Sequence, residues 1–231
     1  MYNQIKNIVK VADLIRTLVF YKRDLSKIFK MPVKEIDYLF AEIYSSSFFK
    51  GIRERVHIPP GRYYLTMFNP VRAPLLYVAC RILKPQAVVE TGVKEGFSSS
   101  FILAALEMNK QGRLYSIDLP NRPGQELKEN ESTGWLVPEK FKARWNLIFG
   151  SSRDKLPGLL EGLRKIDIFF HDSDHSYKNM MFEFNLAWEH IRPDGYLISD
   201  DVTENKAFTD FVKLKGCKSF FTLFRSGIAA R

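Results

Sequence analysis

Carboxylate and imidazole side chains stand where buried apolar runs of this sequence end. Asp118 closes one run, a second leads into residues 171–175 (HDSDH), and a third ends at Asp200-Asp201. With Glu90 in another run, acidic residues end four of the five predicted strands. Because carboxylates weaken strands and repel one another when clustered, this placement indicates a site. Such groups can accept hydroxyl hydrogen bonds, ligate a hard cation or move a proton.

The elements that would position these groups follow from the hydrophobic pattern. Apolar runs alternate with helical periodicity from about residue 69 onwards. The predicted strands contain or span Val88-Val89, Arg113–Ile117, Asn146–Phe149, Ile166–Phe170 and Tyr196–Ser199; the predicted helices include Asn69–Leu83, Phe101–Leu106, Asp154–Arg164 and Lys178–His190; Phe220–Phe224 and Gly227–Ala230 form a closing pair. This alternation predicts an α/β fold with a mainly parallel sheet, helices on both faces and a closing antiparallel strand pair. Ligands of such sheets bind at the carboxyl ends of the strands.

A glycine-bearing loop lies between the first predicted strand and its helix. The pattern is Glu90-x-Gly92-x-Lys94-x-Gly96, followed by three serines at 98–100. Glycines permit a tight turn and a close approach of a ligand to the backbone, and the first helical turn presents free N–H groups. A dinucleotide fingerprint needs G-x-G-x-x-G, so the lysine counts against NAD. The loop predicts a site for a nucleotide-like ligand; the alternative is an ordinary strand-to-helix turn.

The residues before the sheet predict a helical N-terminal extension. Ile5, Ile8, Val9, Ala12, Ile15 and Val19 recur at helical spacing, as do Ile36, Leu39, Phe40, Ile43 and Tyr44. We expect an extension over residues 1–68 and a catalytic domain over residues 69–231. The apolar faces of the extension predict cover for the substrate side of the sheet or a homodimer contact; the alternative is packing against its own domain.

Composition sets broad limits on function. No apolar run is long enough to span a bilayer, and Lys6, Lys10, Asp13 and Arg16 interrupt the N-terminal run, which therefore lacks the apolar core of a signal peptide. The two cysteines show no disulfide framework or metal-ligand spacing, which predicts a cytoplasmic protein. A net charge of +9 indicates an anionic substrate, nucleic acid or membrane contact, or simply a solvated basic surface.

Two further segments, together with the glycine loop, resemble motifs of a known family. Residues 167–177 (DIFFHDSDHSY) and 193–202 (PDGYLISDDV) resemble motifs of the methyltransferase domain 24 family, which is related to sugar, macrolide and catechol O-methyltransferases. The loop at residues 90–96 resembles motif I, E-x-G-x-G-x-G, of class I methyltransferases that use S-adenosylmethionine (SAM). The resemblance covers roughly residues 70–230 and implies a Rossmann-like fold. It implies SAM as the cofactor.

The resemblance also implies roles for individual residues. Glu90, Gly92, Gly96 and Ser98 would bind SAM, the last three at its methionine end. Asp118 would hold the ribose, and Ser151-Ser152 would border the adenine. In metal-dependent members, the positions that match Asp172, Asp200 and Asp201 bind a divalent ion, for which Mg²⁺ is chemically suited. The alternative is that Asp172 contacts the amino group of SAM and Asp200 caps the next helix. Likewise, the alternative for Asp118 is a helix N-cap.

His175 is the candidate base, because it follows Asp172 at the edge of the predicted site and could remove a proton from a substrate hydroxyl. The alternative is a loop histidine that only forms hydrogen bonds. The polar segment Pro120–Pro138 is either a lid or a mobile surface loop.

The predicted activity is methyl transfer from SAM to a hydroxyl of a small molecule such as a sugar, a glycan or a secondary metabolite, with a divalent metal as an assisting ion. Two rivals remain open. One is a nucleic-acid methyltransferase, which the absence of an Asn/Asp-Pro-Pro-Tyr motif disfavours. The other is a SAM-binding scaffold without activity.

Overall fold

A seven-stranded sheet organises the chain. The structure, a computed structural model, describes residues 21–56, 72–120, 127–128, 130–217, 219–223 and 225–231. The strands are β1 (Ala87–Thr91), β2 (Arg113–Asp118), β3 (Trp145–Phe149), β4 (Ile166–His171), β5 (Ile191–Ser199), β6 (Phe220–Leu223) and β7 (Ser226–Ala230). Their order across the sheet is β3-β2-β1-β4-β5-β7-β6. The first five strands pair in parallel, and β7 is antiparallel to both of its neighbours.

Helices cover both faces of this sheet. They are α1 (Val33–Ser45), α2 (Ser47–Arg55), α3 (Arg72–Leu83), α4 (Phe97–Asn109), α5 (Ser152–Leu163), α6 (Tyr177–His190) and α7 (Ala207–Leu214), with a 3-10 helix at Glu139–Arg144. One hydrophobic cluster joins α1 to α4 to one face, and a second joins α5 to α7 to the other. The central strands β1 and β4 are buried along their whole length, as parallel strands covered on both sides must be. The predicted α/β fold is confirmed.

Two elements differ from the sequence prediction. Strand β5 begins at Ile191 rather than at Tyr196, because the turn-forming Pro193-Asp194-Gly195 is accommodated within the strand. Asp194 takes a positive φ of 62°, and the pairing with β4 shifts register between Ile166 and Ile168. Helix α7 is missing from the prediction, although its buried residues Ala207, Phe208, Phe211 and Val212 follow helical spacing.

The helices before the sheet pack against their own chain. Ile36, Phe40 and Ile43 of α1 are buried in the same hydrophobic cluster as α3 and α4. At the edge of this contact, Glu42 accepts hydrogen bonds from Tyr77 and from Arg81, whose Nε lies 2.9 Å away. The predicted apolar face exists, but it covers α3 and is therefore closed to a substrate or to a partner subunit.

Several predictions fall outside the described residues. These are the helix through Ile5–Val19, the connector at Pro59-Pro60-Gly61 and part of Pro120–Pro138; the proposed domain boundary at residues 68 and 69 lies there too. Within the described ranges, no helix is both long and apolar enough to cross a membrane.

Candidate functional site

The glycine loop forms the floor of the candidate site. Gly92 and Gly96 both have φ of +85°, and Gly96 is the N-cap of α4. Lys94 stands where the middle glycine of motif I would be, and it also takes a positive φ, of 51°. The lysine therefore keeps the left-handed backbone conformation that glycine usually supplies, at some steric cost. The loop leaves the first amides of α4 without intrahelical acceptors.

Glu90 supports this loop from beneath. It is fully buried, and its carboxylate accepts hydrogen bonds from the hydroxyls of Ser98 (2.6 Å), Ser99 (2.6 Å) and Ser116 (2.7 Å). Burial raises the pKa of Glu90, and the three hydroxyls oppose that shift. The side chains of Glu90 and Ser98 thus hold the loop to β1 and β2, and their contacts with a ligand stay a prediction.

Asp118 ties the loop to the end of β2. One carboxylate oxygen accepts the backbone N–H of Lys94 at 2.8 Å, and the other accepts that of Leu119 at 2.9 Å. Leu119 is 63% exposed and Phe149, paired with Asp118 across the sheet, is 49% exposed. Two apolar side chains therefore border this carboxylate, a feature that the sequence analysis does not single out.

The two serines after β3 begin α5. Ser151 is its N-cap, accepting the Asp154 amide at 3.2 Å and donating its hydroxyl to the Asp154 carboxylate at 2.6 Å. Ser152 forms a hydrogen bond that helps to lower the pKa of Glu183. Both serines lie at the predicted edge of the sheet, and both side chains already have partners within the protein.

The described end of the Pro120–Pro138 segment lies on the glycine loop. The backbone amides of Gly134 and Leu136 donate to the carbonyls of Lys94 (2.8 Å) and Glu95 (2.9 Å). From α2, the Arg55 guanidinium donates to the carbonyl of Leu136 at 3.0 Å and to that of Trp135 at 2.6 Å. The described part of this segment is therefore anchored to the glycine loop by hydrogen bonds.

The acidic strand ends meet at an arginine. Arg72, the first residue of α3, forms ion pairs with Asp172 after β4 and Asp200 after β5. Burial acts to lower the pKa of the Arg72 guanidinium, but the aspartates overcome this effect and raise it. Burial raises the pKa of Asp200, only 2% exposed, to about 6, against the opposing field of Arg72. A buried guanidinium thus lies between two of the three predicted metal ligands.

Asp201, the third predicted metal ligand, is paired with a different arginine. Asp201 accepts from Arg225 Nε at 2.5 Å, and its carboxylate is 3.9 Å from His175 Nδ1. Among the described residues, the group whose ligand atoms lie within 4.8 Å of one another consists of Asp172, His175 and Asp200. The structure therefore brings together two of the predicted aspartates, and it replaces the third with His175.

His175 lies at the edge of the acidic group. Its Nε2 is 3.7 Å from an Asp172 oxygen, which is beyond hydrogen-bond distance, and this buried nitrogen has no hydrogen-bond partner within the described ranges. Burial and the neighbouring His171 lower the pKa of His175. This shift favours the neutral imidazole, which can accept a proton.

A buried network behind the site fixes the loop after β4. Glu183 of α6 lies 2.7 Å from His171 Nδ1 and accepts hydrogen bonds from Thr91 (2.6 Å), Ser173 (2.7 Å) and Asn179 (2.9 Å). Although burial acts to raise the pKa of Glu183, these partners lower it to about 2. His171 faces this network, opposite in direction to Asp172, as alternation along a strand requires.

Sequence reasoning missed Arg72. The residue lies in a helix that is otherwise apolar except for Arg81, within a segment predicted only as the helix that leads to the first strand. A cation in such an apolar helix needs an anionic partner if it is buried, and this was the signal that the sequence offered.

The comparisons with known proteins agree with this geometry. Residues 89–202 match the family model described as a methyltransferase domain. No curated protein sequence matches the chain.

Solved structures share the fold. A methyltransferase from Podospora anserina with bound S-adenosylhomocysteine (SAH) has 14% identity and a TM-score of 0.57, over 85% of this chain and 95% of that one. An O-methyltransferase from Streptomyces achromogenes, involved in tomaymycin synthesis and bound to SAM, has 18% identity and a TM-score of 0.55, over 80% and 90%. An O-methyltransferase from Bacillus cereus in complex with SAH has 15% identity and a TM-score of 0.53, over 84% and 91%. At these identities the likeness shows the fold alone. The match over residues 89–202, which contain the glycine loop and the aspartates at the ends of three strands, makes this part of the chain similar to the methyltransferase domain family.

Proposed function

We propose that this protein transfers the methyl group of SAM to a hydroxyl of a small molecule, such as a sugar, a glycan or a secondary metabolite. The observation that carries the proposal is the meeting, at one edge of the sheet, of the glycine loop with a carboxylate group and a neutral histidine. The comparison structures with bound SAM or SAH support the choice of cofactor.

The residues of the first three strand ends suit a SAM molecule. The backbone of Gly92 and Gly96 and the first amides of α4 would receive its methionine end. Asp118 is only partly buried at the end of β2, beside the loop, where its carboxylate would accept hydrogen bonds from ribose hydroxyls. Leu119 and Phe149 offer exposed apolar surface beside it for an adenine ring.

The chemistry divides between the cofactor and the protein. When bound, SAM supplies an activated methyl group, which an oxygen nucleophile takes by in-line displacement of SAH. The protein orients the acceptor hydroxyl, and His175 Nε2 takes its proton as the new C–O bond forms. Asp172, 3.7 Å from that nitrogen, stabilises the resulting imidazolium. Most of the rate gain comes from holding both reactants in line.

The group of Asp172, His175 and Asp200 does not suit a divalent metal while Arg72 is paired with both aspartates. The Asp172, His175 and Asp200 group has suitable donor atoms, but the Arg72 guanidinium already pairs with both aspartates. Mg²⁺ or another divalent cation would have to displace it. The ion pairs of Arg72 therefore argue against the metal assistance that the family resemblance predicts.

One assay tests the proposal and its rivals. Purified protein is incubated with methyl-tritiated SAM and a cell extract separated into small-molecule and macromolecular fractions, with and without EDTA. We expect label in a small-molecule fraction and full transfer in excess chelator. Label in nucleic acid would support the nucleic-acid rival, and binding of SAM with no transfer to any fraction would support the scaffold. Loss of transfer in EDTA, restored by Mg²⁺, would establish the metal.

Two further predictions concern context. Both Cys80 and Cys217 are free thiols, which agrees with the cytoplasmic location that we infer. A homodimer also remains a prediction, but it would need a surface other than the buried face of α1.

A further inference from the structure

Arg72 is placed against the electrostatic preference of its own helix. It is the first residue of α3, where the helix dipole is positive and disfavours a cation. Its side chain is also largely buried, which costs a charged group its hydration. The contacts of the guanidinium with Asp172 and Asp200 offset these two costs, so the arginine and the aspartates depend on each other.

The aspartates in turn need a cation. Asp172 and Asp200 stand on adjacent strands and share the electrostatic field of a group that also contains His175. Two carboxylates this close repel each other when both are ionised. A planar guanidinium with several donors can neutralise both at once, and here each of its terminal nitrogens serves one aspartate.

A divalent ion and the guanidinium exclude each other at this place. Both would need the same carboxylate oxygens, and the two cations would repel strongly in a buried site. One oxygen of the neighbouring Asp201 is paired with Arg225, and Asp201 lies outside the group formed by Asp172, His175 and Asp200. The donor set therefore does not suit a metal while Arg72 holds its position.

We propose that Arg72 is the resident cation of the Asp172–Asp200 pair and takes the place of the divalent ion that related methyltransferases bind. Arg72 is a positioning residue: it holds both aspartates, and through Asp172 it fixes the surroundings of His175. The catalytic consequence, methyl transfer without a metal, rests on the proposed function, whereas the exclusion of metal does not.

The test removes the cation and measures metal binding directly. Mn²⁺ is titrated into wild-type protein, Arg72→Ala and Arg225→Ala, with binding followed by the electron paramagnetic resonance signal of free Mn²⁺. We expect one site in Arg72→Ala with an affinity at least about tenfold above that of the wild type. Arg225→Ala is the matched control, because it removes an arginine from Asp201 but leaves Arg72 on its two aspartates; it should bind as the wild type does.

Melting temperatures give a second readout. Mn²⁺ should raise the melting temperature of Arg72→Ala and not that of the wild type, because a ligand stabilises only the protein that binds it. Adding Asp200→Asn to Arg72→Ala should weaken the acquired site. If Arg72→Ala does not fold, Arg72→Gln retains part of the hydrogen bonding without the charge and replaces it in both measurements.

Two results would overturn the proposal. One is a wild type that binds one Mn²⁺ as tightly as the Arg72 variant. The other is a folded Arg72 variant that gains no site. Calorimetry with SAM on the wild type is run in parallel, so a failure of the proposed function is seen separately from a failure of the metal exclusion.

Discussion

A Cβ atom on Gly92 would lie 2.1 Å from the carbonyl oxygen of Asp172. Gly92 lies in the loop proposed to hold the cofactor, and Asp172 is the aspartate that follows β4. The amide of Asp172 also donates to the carbonyl of Thr91 at 2.8 Å. The backbones of the two halves of the candidate site thus pack directly against each other. Only a glycine at position 92 leaves room for this close approach.

Gly92→Ala should therefore disrupt both halves together. The positive φ alone costs about 1–2 kcal/mol for a residue with a Cβ, and the clash with fixed backbone adds to it. We expect a clear fall in the free energy of unfolding in urea and loss of SAM binding by calorimetry. Gly216→Ala is the control, since Gly216 also has a positive φ but a Cβ there meets nothing within 4 Å. Equal stability losses in the two variants would refute the close contact.

Asp118→Ala should weaken SAM binding by about 1–3 kcal/mol, because it removes the carboxylate proposed for the ribose and the hydrogen bond to Lys94. Calorimetry with SAM and SAH measures the change. Asp118→Asn keeps one acceptor oxygen and should lose less. NAD, titrated into the wild type, should not bind. Unchanged SAM affinity in Asp118→Ala would show that the ribose lies elsewhere.

Arg55→Ala should loosen the segment that lies on the glycine loop. Its guanidinium donates to two carbonyls there, and a hydrogen bond to a charged group contributes about 1.5–3 kcal/mol. We expect faster hydrogen exchange at the amides of Gly134 and Leu136. Lys50→Ala removes an exposed cation from the same helix and serves as the control. Arg55→Lys keeps the charge but not the forked geometry, so it should restore little.

Glu183→Gln should reduce the free energy of unfolding at neutral pH. It should also make that free energy less dependent on pH in the acidic range. The pKa of Glu183 is about 2 in the folded protein, below its ordinary value of 4.5. Its stabilisation is therefore present above about pH 4.5 and is lost as the pH falls towards 2. The substitution removes a charged acceptor of buried hydrogen bonds, each of which contributes about 1.5–3 kcal/mol at pH 7.

Urea unfolding between pH 7 and pH 3 measures this effect. The wild type should lose more stability than Glu183→Gln across the acidic part of that range. Glu189→Gln, on the exposed side of the same helix, should follow the wild-type curve. Parallel curves for the wild type and Glu183→Gln would contradict the assignment.

Much of the fold is determined by the sequence itself. Short apolar runs such as residues 168–170 indicate buried strands of a covered parallel sheet, and their alternation with helices leaves few topologies. The carboxyl ends of such strands meet at one edge, so Asp118, Asp172 and Asp200 could be assigned to one site without coordinates. The boundaries of β5 were not predictable, because a turn signal at Pro193-Asp194-Gly195 is absorbed within the strand.

Only the tertiary structure decided which charges meet. Arg72 lies 100 residues from Asp172 in the sequence, and nothing in the local pattern of α3 names its partners. The same is true of Glu90, whose three hydroxyl partners, Ser98, Ser99 and Ser116, come from two separate elements. Apolar periodicity is a local property that a sequence displays directly. Ion pairs in a buried site depend instead on distances of a few ångströms between distant segments, and packing alone sets those distances.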